Sequence, residues 1–231
     1  MQENKELKVI AKIYTDFKEK FGIPRQSGLV STLEGRIVFE PKYRSDDALR
    51  GIEEFSHLWL IWGFSENPES DKFTPTVRPP RLGGNKKMGV FATRSPFRPN
   101  PIGLSSVKLL RIEKTNDGAV LIVSGADMLN GTPIYDIKPY LPYTDIHNDA
   151  VGGFADDKLS YKLEVDFPCE FLLKIPADKR EGLIELLSED PRPSYIEDSE
   201  RIYGFNFAEF EVKFKVKDKV LTVTAVLRLN N

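Results

Sequence analysis

Two stretches of this chain carry residue types that could do chemistry. The first is the run Gly89-Val90-Phe91-Ala92-Thr93-Arg94-Ser95-Pro96-Phe97-Arg98-Pro99-Asn100-Pro101-Ile102-Gly103-Leu104-Ser105. Pro96, Pro99 and Pro101 restrict the unfolded loop, so Arg94, Arg98 and Asn100 are held at little ordering cost. That suits a preorganised polar or anionic site, and it suits equally a rigid corner whose arginines face water. The second is Asp136-Ile137-Lys138-Pro139-Tyr140, where alternation in an extended segment puts Asp136, Lys138 and Tyr140 on one face. A carboxylate beside an ammonium and a phenol could hold and deprotonate a substrate nitrogen, or form a plain surface ion pair. His57 heads an aromatic run, where a histidine satisfied within the core is the common outcome.

Other chemistries lack their anchors. Two histidines, His57 and His147, and one cysteine, Cys169, offer no cluster of transition-metal ligands, and no metal is expected. No GxGxxG follows a strand, and neither a GxxxxGK[ST] nor a GxSxG occurs. Cys169 has no internal disulfide partner and, in the strand-like run Phe167 to Ile175, is expected to be a small buried residue. Net charge is only −2, yet the segment from Lys72 to Arg111 holds nine basic residues and no acidic one, leaving 24 basic and 35 acidic residues elsewhere. An acid-free block in an otherwise acidic chain fits a phosphate-rich partner, since each neutralised phosphate releases counterions. Arg78, Arg81, Lys86, Lys87 and Arg98 are the candidates for nucleic-acid contact. A solvated loop of chance composition is the alternative.

The elements that must position these residues are mostly strands. Leu7 to Tyr14 and Arg36 to Glu40 read as strands, and the continuous apolar run His57 to Phe64 as a central one. Ser45 to Phe55 has a capping residue and a helical stripe, although Gly51 interrupts it. The proline- and glycine-rich stretch from Pro75 to Gly103 is expected to run as rigid loops with strand fragments such as Gly89 to Thr93. Leu104 to Ile112 and Ala119 to Ala126 pair as a hairpin across Asn116-Asp117-Gly118, and Asn130-Gly131-Thr132-Pro133 marks a further turn. The polar stretch Tyr143 to Lys158 is expected to be a linker, which divides the chain into residues 1–150 and 151–231. Beyond it, Tyr161 to Phe167 and Glu170 to Ile175 read as strands and Ala177 to Ser188 as a helix. Phe210 to Lys217 and Val220 to Leu229 form a hairpin closed at Lys217-Asp218-Lys219. No apolar run reaches the roughly 20 residues of a membrane span, and the basic-then-apolar start of an export signal is missing, so a cytoplasmic location is expected.

Taken together, Pro24-Arg25-Gln26, Phe55-Ser56-His57-Leu58-Trp59, Arg78-Pro79-Pro80-Arg81-Leu82-Gly83-Gly84-Asn85, the Gly89 to Ser105 run, Asp136 to Tyr140 and Asp190-Pro191-Arg192-Pro193 resemble the TsaA-like, or TrmO, tRNA methyltransferases. The resemblance implies a mainly β fold: a single-sheeted β-barrel that binds S-adenosylmethionine, often as a homodimer, followed by a small α+β domain. It implies methyl transfer to N6 of the threonylcarbamoyl-modified adenosine beside the tRNA anticodon. By the same resemblance, Pro24, Arg25, Gln26, His57, Leu58, Arg94, Leu104, Asp127, Met128, Leu129 and Gly131 line the cofactor pocket, and Asp136, Lys138 and Tyr140 are catalytic, with Asp136 as base. Asn130 departs from the Asp-Gly-Thr-Pro of many relatives, which puts the role of that carboxylate in question. A non-catalytic RNA-binding module is the alternative function, and a methyltransferase of a small molecule a third.

Overall fold

The computed structural model describes residues 6–66, 73–79, 86–158, 161–192 and 198–229. Its strands are β1 (Ala11–Tyr14), β2 (Glu34–Phe39), β3 (His57–Gly63), β4 (Thr76–Val77), β5 (Met88–Gly89), β6 (Ile102–Thr115), β7 (Gly118–Ser124), β8 (Thr132–Pro139), β9 (Glu164–Asp166), β10 (Tyr203–Phe207), β11 (Phe210–Lys217) and β12 (Val220–Arg228). The α-helices are α1 (Pro142–Asp145), α2 (Cys169–Leu172) and α3 (Ala177–Ser188).

Six strands pair in the order β1-β2-β7-β6-β3-β8, and β8 pairs back onto β1, so the antiparallel sheet closes into a barrel. Closure leaves no free edge among these strands, and every second residue turns inward. Ile13, Ile37, Leu58, Leu60, Trp62, Val107, Leu121, Val123, Met128 and Ile134 are among the residues that fill the interior. The β6–β7 hairpin closes at Thr115 opposite Gly118, which turns the chain with φ of 84°.

The second sheet, in the order β10-β11-β12-β9, has β9 parallel to β12 and the other pairs antiparallel. Helix α3 closes its inner face, packing Leu183, Leu186 and Leu187 in one cluster with Phe205, Phe207 and Phe214. The β11–β12 turn is two residues, Asp218 and Lys219, both at positive φ (49° and 65°), as a two-residue hairpin between right-twisted strands requires. Phe17, Val30 and Leu33, from the connection between β1 and β2, belong to this second cluster rather than to the barrel core.

Several elements differ from the expectation. Ser45 to Phe55 forms not an α-helix but two 3-10 turns, Asp46–Leu49 and Ile52–Glu54, because Gly51 sits between them in the left-handed region at φ 85°. Glu170 to Ile175 is not a strand: Pro168 opens a turn whose carbonyl accepts from the N–H of Phe171 and of Leu172, forming α2. Cys169 is therefore exposed rather than buried. Strand β1 begins at Ala11 rather than Leu7, and β5 stops at Gly89 because Val90–Ala92 coil into a 3-10 turn. The stretch Tyr143 to Lys158 is not wholly irregular, since α1 ends within it and a 3-10 turn spans Gly153–Lys158.

Candidate functional site

One set of candidate residues gathers on the outer face of β6, β3 and β8. Leu58, Leu60 and Trp62 point into the barrel, so His57, Trp59 and Ile61 point out. Ile61 lies opposite Leu104 of β6 and Asp136 of β8, and Trp59 opposite Ser106 and Lys138. A bulge at Tyr135 sets this register: it leaves Ile134 in the core and turns Asp136 outward. Asp136 Oδ2 is then 3.0 Å from Lys138 Nζ, with side chains 46% and 62% exposed, so the carboxylate and ammonium pair while open to solvent. Tyr140 donates its N–H to the His57 carbonyl at 3.0 Å, and its ring lies 5.5 Å from Trp59 and 6.1 Å from His57. His57 is half-buried here, with Nδ1 2.9 Å from Ser56 Oγ, and is not a core histidine.

A second set surrounds Asp127, just past the end of β7. Ser105 points inward from β6 between Gly103 and Val107, accepts from Trp62 Nε1 at 2.9 Å and donates to Asp127 Oδ1 at 2.6 Å. Burial, the strongest influence, pushes the Asp127 carboxyl above its ordinary value, opposed by the Ser105 hydroxyl, the N–H groups of Asp127 and Ser27, and the Arg94 charge. Arg94 Nη1 donates to Gln26 Oε1 at 2.6 Å, and Gln26 Nε2 donates to the Arg25 carbonyl. Pro24, the residue before them, is buried. The turn after Asp127 is fastened to the chain leaving β1: Met128 O accepts from Thr15 Oγ1 at 3.0 Å, and Gly131 N–H donates to Ile13 O at 2.8 Å. Leu129 is half-buried, and its carbonyl accepts the Thr132 hydroxyl at 2.7 Å.

The side chains of Leu58 and Met128 are fully buried in the barrel core. The departure at Asn130 also acquires a physical role. Its Oδ1 accepts the Thr15 N–H at 3.1 Å, a bond that either an amide or a carboxylate oxygen can make. Gln26, Arg94 and Asp127 supply an amide, a guanidinium and a mostly buried carboxylate. Such a donor set matches a zwitterionic nucleoside cofactor, which needs a cation for its carboxylate and acceptors for its ammonium and hydroxyls.

Of the basic candidates, Arg78, Lys86 and Lys87 are exposed around the small β4–β5 ladder, while Arg81 lies outside the described residues. Arg98 is only half-buried and donates to the Thr93 carbonyl at 3.1 Å, which braces the proline-rich loop. Phe73 and Phe91, 58% and 73% exposed, stack at 6.1 Å beside them. The sequence assigns no individual role to Ser105, Trp62, Trp59 or Asp145. Asp145 Oδ2 accepts from Trp59 Nε1 at 2.9 Å and from Leu141 N–H at 2.8 Å, bracing the ring under Tyr140. The one local sign of Ser105 was a hydroxyl at an inward position of an otherwise apolar alternation.

Comparison with known proteins covers both parts of the chain. Residues 12–146 match the family model described as the tRNA-methyltransferase O N-terminal domain, and residues 161–229 the TrmO C-terminal domain. The tRNA (adenine(37)-N6)-methyltransferase of Escherichia coli is 40% identical over 225 residues, 94% of this chain and 95% of that protein. Its counterpart from Eikenella corrodens is 45% identical over 174 residues, 75% of this chain and 97% of that protein. A crystal structure of TrmO from Pseudomonas aeruginosa superposes with a TM-score of 0.80 at 31% identity, covering 99% of both chains.

Proposed function

This chain belongs to the tRNA-methyltransferase O (TrmO) family, and on that premise we propose that it transfers the methyl group of S-adenosylmethionine to N6 of adenosine 37 in tRNA, the threonylcarbamoyl-modified nucleoside beside the anticodon. The observation that carries this reading is the match of both family models along one chain that is 40% identical to the E. coli enzyme over 94% of its length. The acid-free basic segment supports a polyanionic substrate.

In this reading Gln26, Arg94 and Asp127 hold the polar ends of S-adenosylmethionine, whose chemistry when bound is an electrophilic methyl carbon. His57, Leu104, Leu129 and the main chain of Leu58, Met128 and Gly131 complete the pocket. Tyr140, braced by Trp59, offers a ring face to the adenine, since base–aromatic stacking contributes about 1–3 kcal/mol per base. N6 is a poor nucleophile between a purine and a carbonyl, so its proton must leave as the bond to carbon forms. Asp136 accepts that proton, and Lys138, 3.0 Å away, steadies the carboxylate while it waits. Arg78, Lys86, Lys87 and Arg98 meet tRNA phosphates, and Arg81, outside the described residues, is assigned the same role from its place in the basic segment. The exposed side chains of Phe91, Phe97 and Ile102 are the surface that a second copy would cover in a homodimer. Among the described residues no helix is long and apolar enough to cross a membrane, and the proposed site of action is the cytoplasm, with the tRNA.

The test is direct. Purified protein, S-adenosylmethionine and tRNA carrying the threonylcarbamoyl nucleoside are incubated, and the digested nucleosides are weighed by mass spectrometry. One methyl in place of one hydrogen on that nucleoside is expected, and an unchanged mass overturns the proposal.

A further inference from the structure

We propose that the Asp190–Arg192 turn of the second domain is a positioning element of the methyl-donor pocket, acting through Arg25. This inference rests on the reading above that Gln26 and Arg94 hold S-adenosylmethionine. The turn leaves the end of α3, where the Asp190 N–H donates to the Leu187 carbonyl at 3.2 Å and Asp190 itself lies at φ 52°. A non-glycine residue in that region is costly and persists only where its surroundings hold it. Here they do: Arg192 Nε donates to Asp190 Oδ1 and Arg192 Nη2 to Oδ2, each at 2.8 Å, and the Tyr161 hydroxyl donates to Oδ2 at 3.0 Å. The paired side chains are only 13% and 15% exposed.

The product of this bracing is a pair of carbonyls aimed at the first domain. Arg25 Nη2 donates to the Asp190 carbonyl at 3.0 Å and to the Arg192 carbonyl at 2.9 Å, which fixes the plane of its guanidinium. The Arg25 carbonyl in turn receives Gln26 Nε2, and Gln26 Oε1 receives Arg94 Nη1 at 2.6 Å. Hydrogen bonds joined through the Arg25 and Gln26 side chains thus connect the second domain to the guanidinium whose charge bears on Asp127.

Holding the two domains together does not call for this turn. Glu185 Oε2 accepts from Ser31 N–H at 2.9 Å and from the Thr32 hydroxyl at 3.0 Å, Lys179 pairs with Asp16, and Asn206 N–H donates to Glu19. A mostly buried ion pair is a weak source of stability by itself, and this one ends on a pocket residue.

The experiment measures S-adenosylmethionine binding by calorimetry and both Michaelis constants in the full chain. For Arg192→Ala, the Kd and KM for S-adenosylmethionine should rise about tenfold, the loss expected for hydrogen bonds to a charged group, while the KM for tRNA stays within about twofold. Arg192→Lys should not restore affinity, because an ammonium cannot make the two-point contact with Asp190. Glu185→Gln, which loosens a cross-domain contact away from the turn, should leave S-adenosylmethionine affinity unchanged. Equal affinity in wild type and Arg192→Ala overturns the proposal, as does an equal weakening by Glu185→Gln, which would assign the effect to general domain docking. Failure of the wild-type chain to bind S-adenosylmethionine overturns the pocket reading itself and this proposal with it. Should Arg192→Ala not fold, Tyr161→Phe removes a single hydroxyl from Asp190: a raised KM for S-adenosylmethionine alone supports the proposal, and an unchanged one overturns it.

Discussion

At the scale of single residues, the role proposed for Asp127 sets function against stability. Burial pushes its carboxyl above the ordinary value, so the ionised form that the proposed pocket requires near neutral pH is less comfortable in the folded chain than in the unfolded one. As pH falls through the raised folded value, the native state takes up a proton before the unfolded chain would, and stability rises. Above that value the penalty is present in full. Asp127→Asn keeps an oxygen that can accept the Ser105 hydroxyl and removes the charge. Its melting temperature should exceed that of wild type at neutral pH, with the gap closing as pH falls toward the usual aspartate range. Methyl transfer should drop in the same protein. Thermal melts across pH, paired with the nucleoside mass assay, check this, and a variant less stable than wild type at neutral pH would contradict it.

At the scale of elements, Gly103 ties the proline-rich loop to the core. It faces into the barrel at the start of β6, and a Cβ added there would fall within the indole ring of Trp62, which is 6% exposed and hydrogen-bonded to Ser105. Gly103→Ala should therefore cost about 1–3 kcal/mol by overpacking, and by displacing Trp62 it should also disturb the Ser105 bond to Asp127. Denaturant unfolding reads the first effect and S-adenosylmethionine affinity the second. Strands β3, β6, β7, β11 and β12 and helix α3 were legible beforehand because alternation, a helical stripe and turn residues are local signals. Where local signals compete, the structure departs from the pattern. Pro168 imposed a helical turn on a strand-like composition, and Gly51 divided a helical stripe in two. The five residues of β10, with Tyr203, Phe205 and Phe207 inward, made too short an alternation to stand out. The two candidate motifs were visible as residue types, but their partners were not. Ser105 meets Asp127 only through the barrel register, and Arg25 meets Asp190 across 165 positions of chain.

At the scale of the whole molecule, the β1–β2 connection ties the two sheets together by packing into the second core. Phe17, Val30 and Leu33 leave the barrel and pack with Leu183, Phe205 and Phe214, and a backbone bridge joins Phe17 to Phe207. Helix α3 comes so near that a Cβ on Gly182 would overlap the Leu33 side chain. Cutting the chain near residue 150 would thus expose apolar side chains on both pieces, although each retains a sheet of its own. The full chain should melt in a single calorimetric transition. Leu33→Ala, a change in the first domain's sequence that empties space in the second domain's core, should shift that whole transition by about 2–5 kcal/mol of stability. Two resolved transitions, with only the one belonging to the second sheet moving, would show the domains to be independent. The connection between Phe17 and Val30 also carries Pro24, Arg25 and Gln26, so the residues proposed to meet the methyl donor are suspended between two anchors in the second core. A single transition would then mean that both anchors of this loop persist up to the temperature at which the whole chain unfolds.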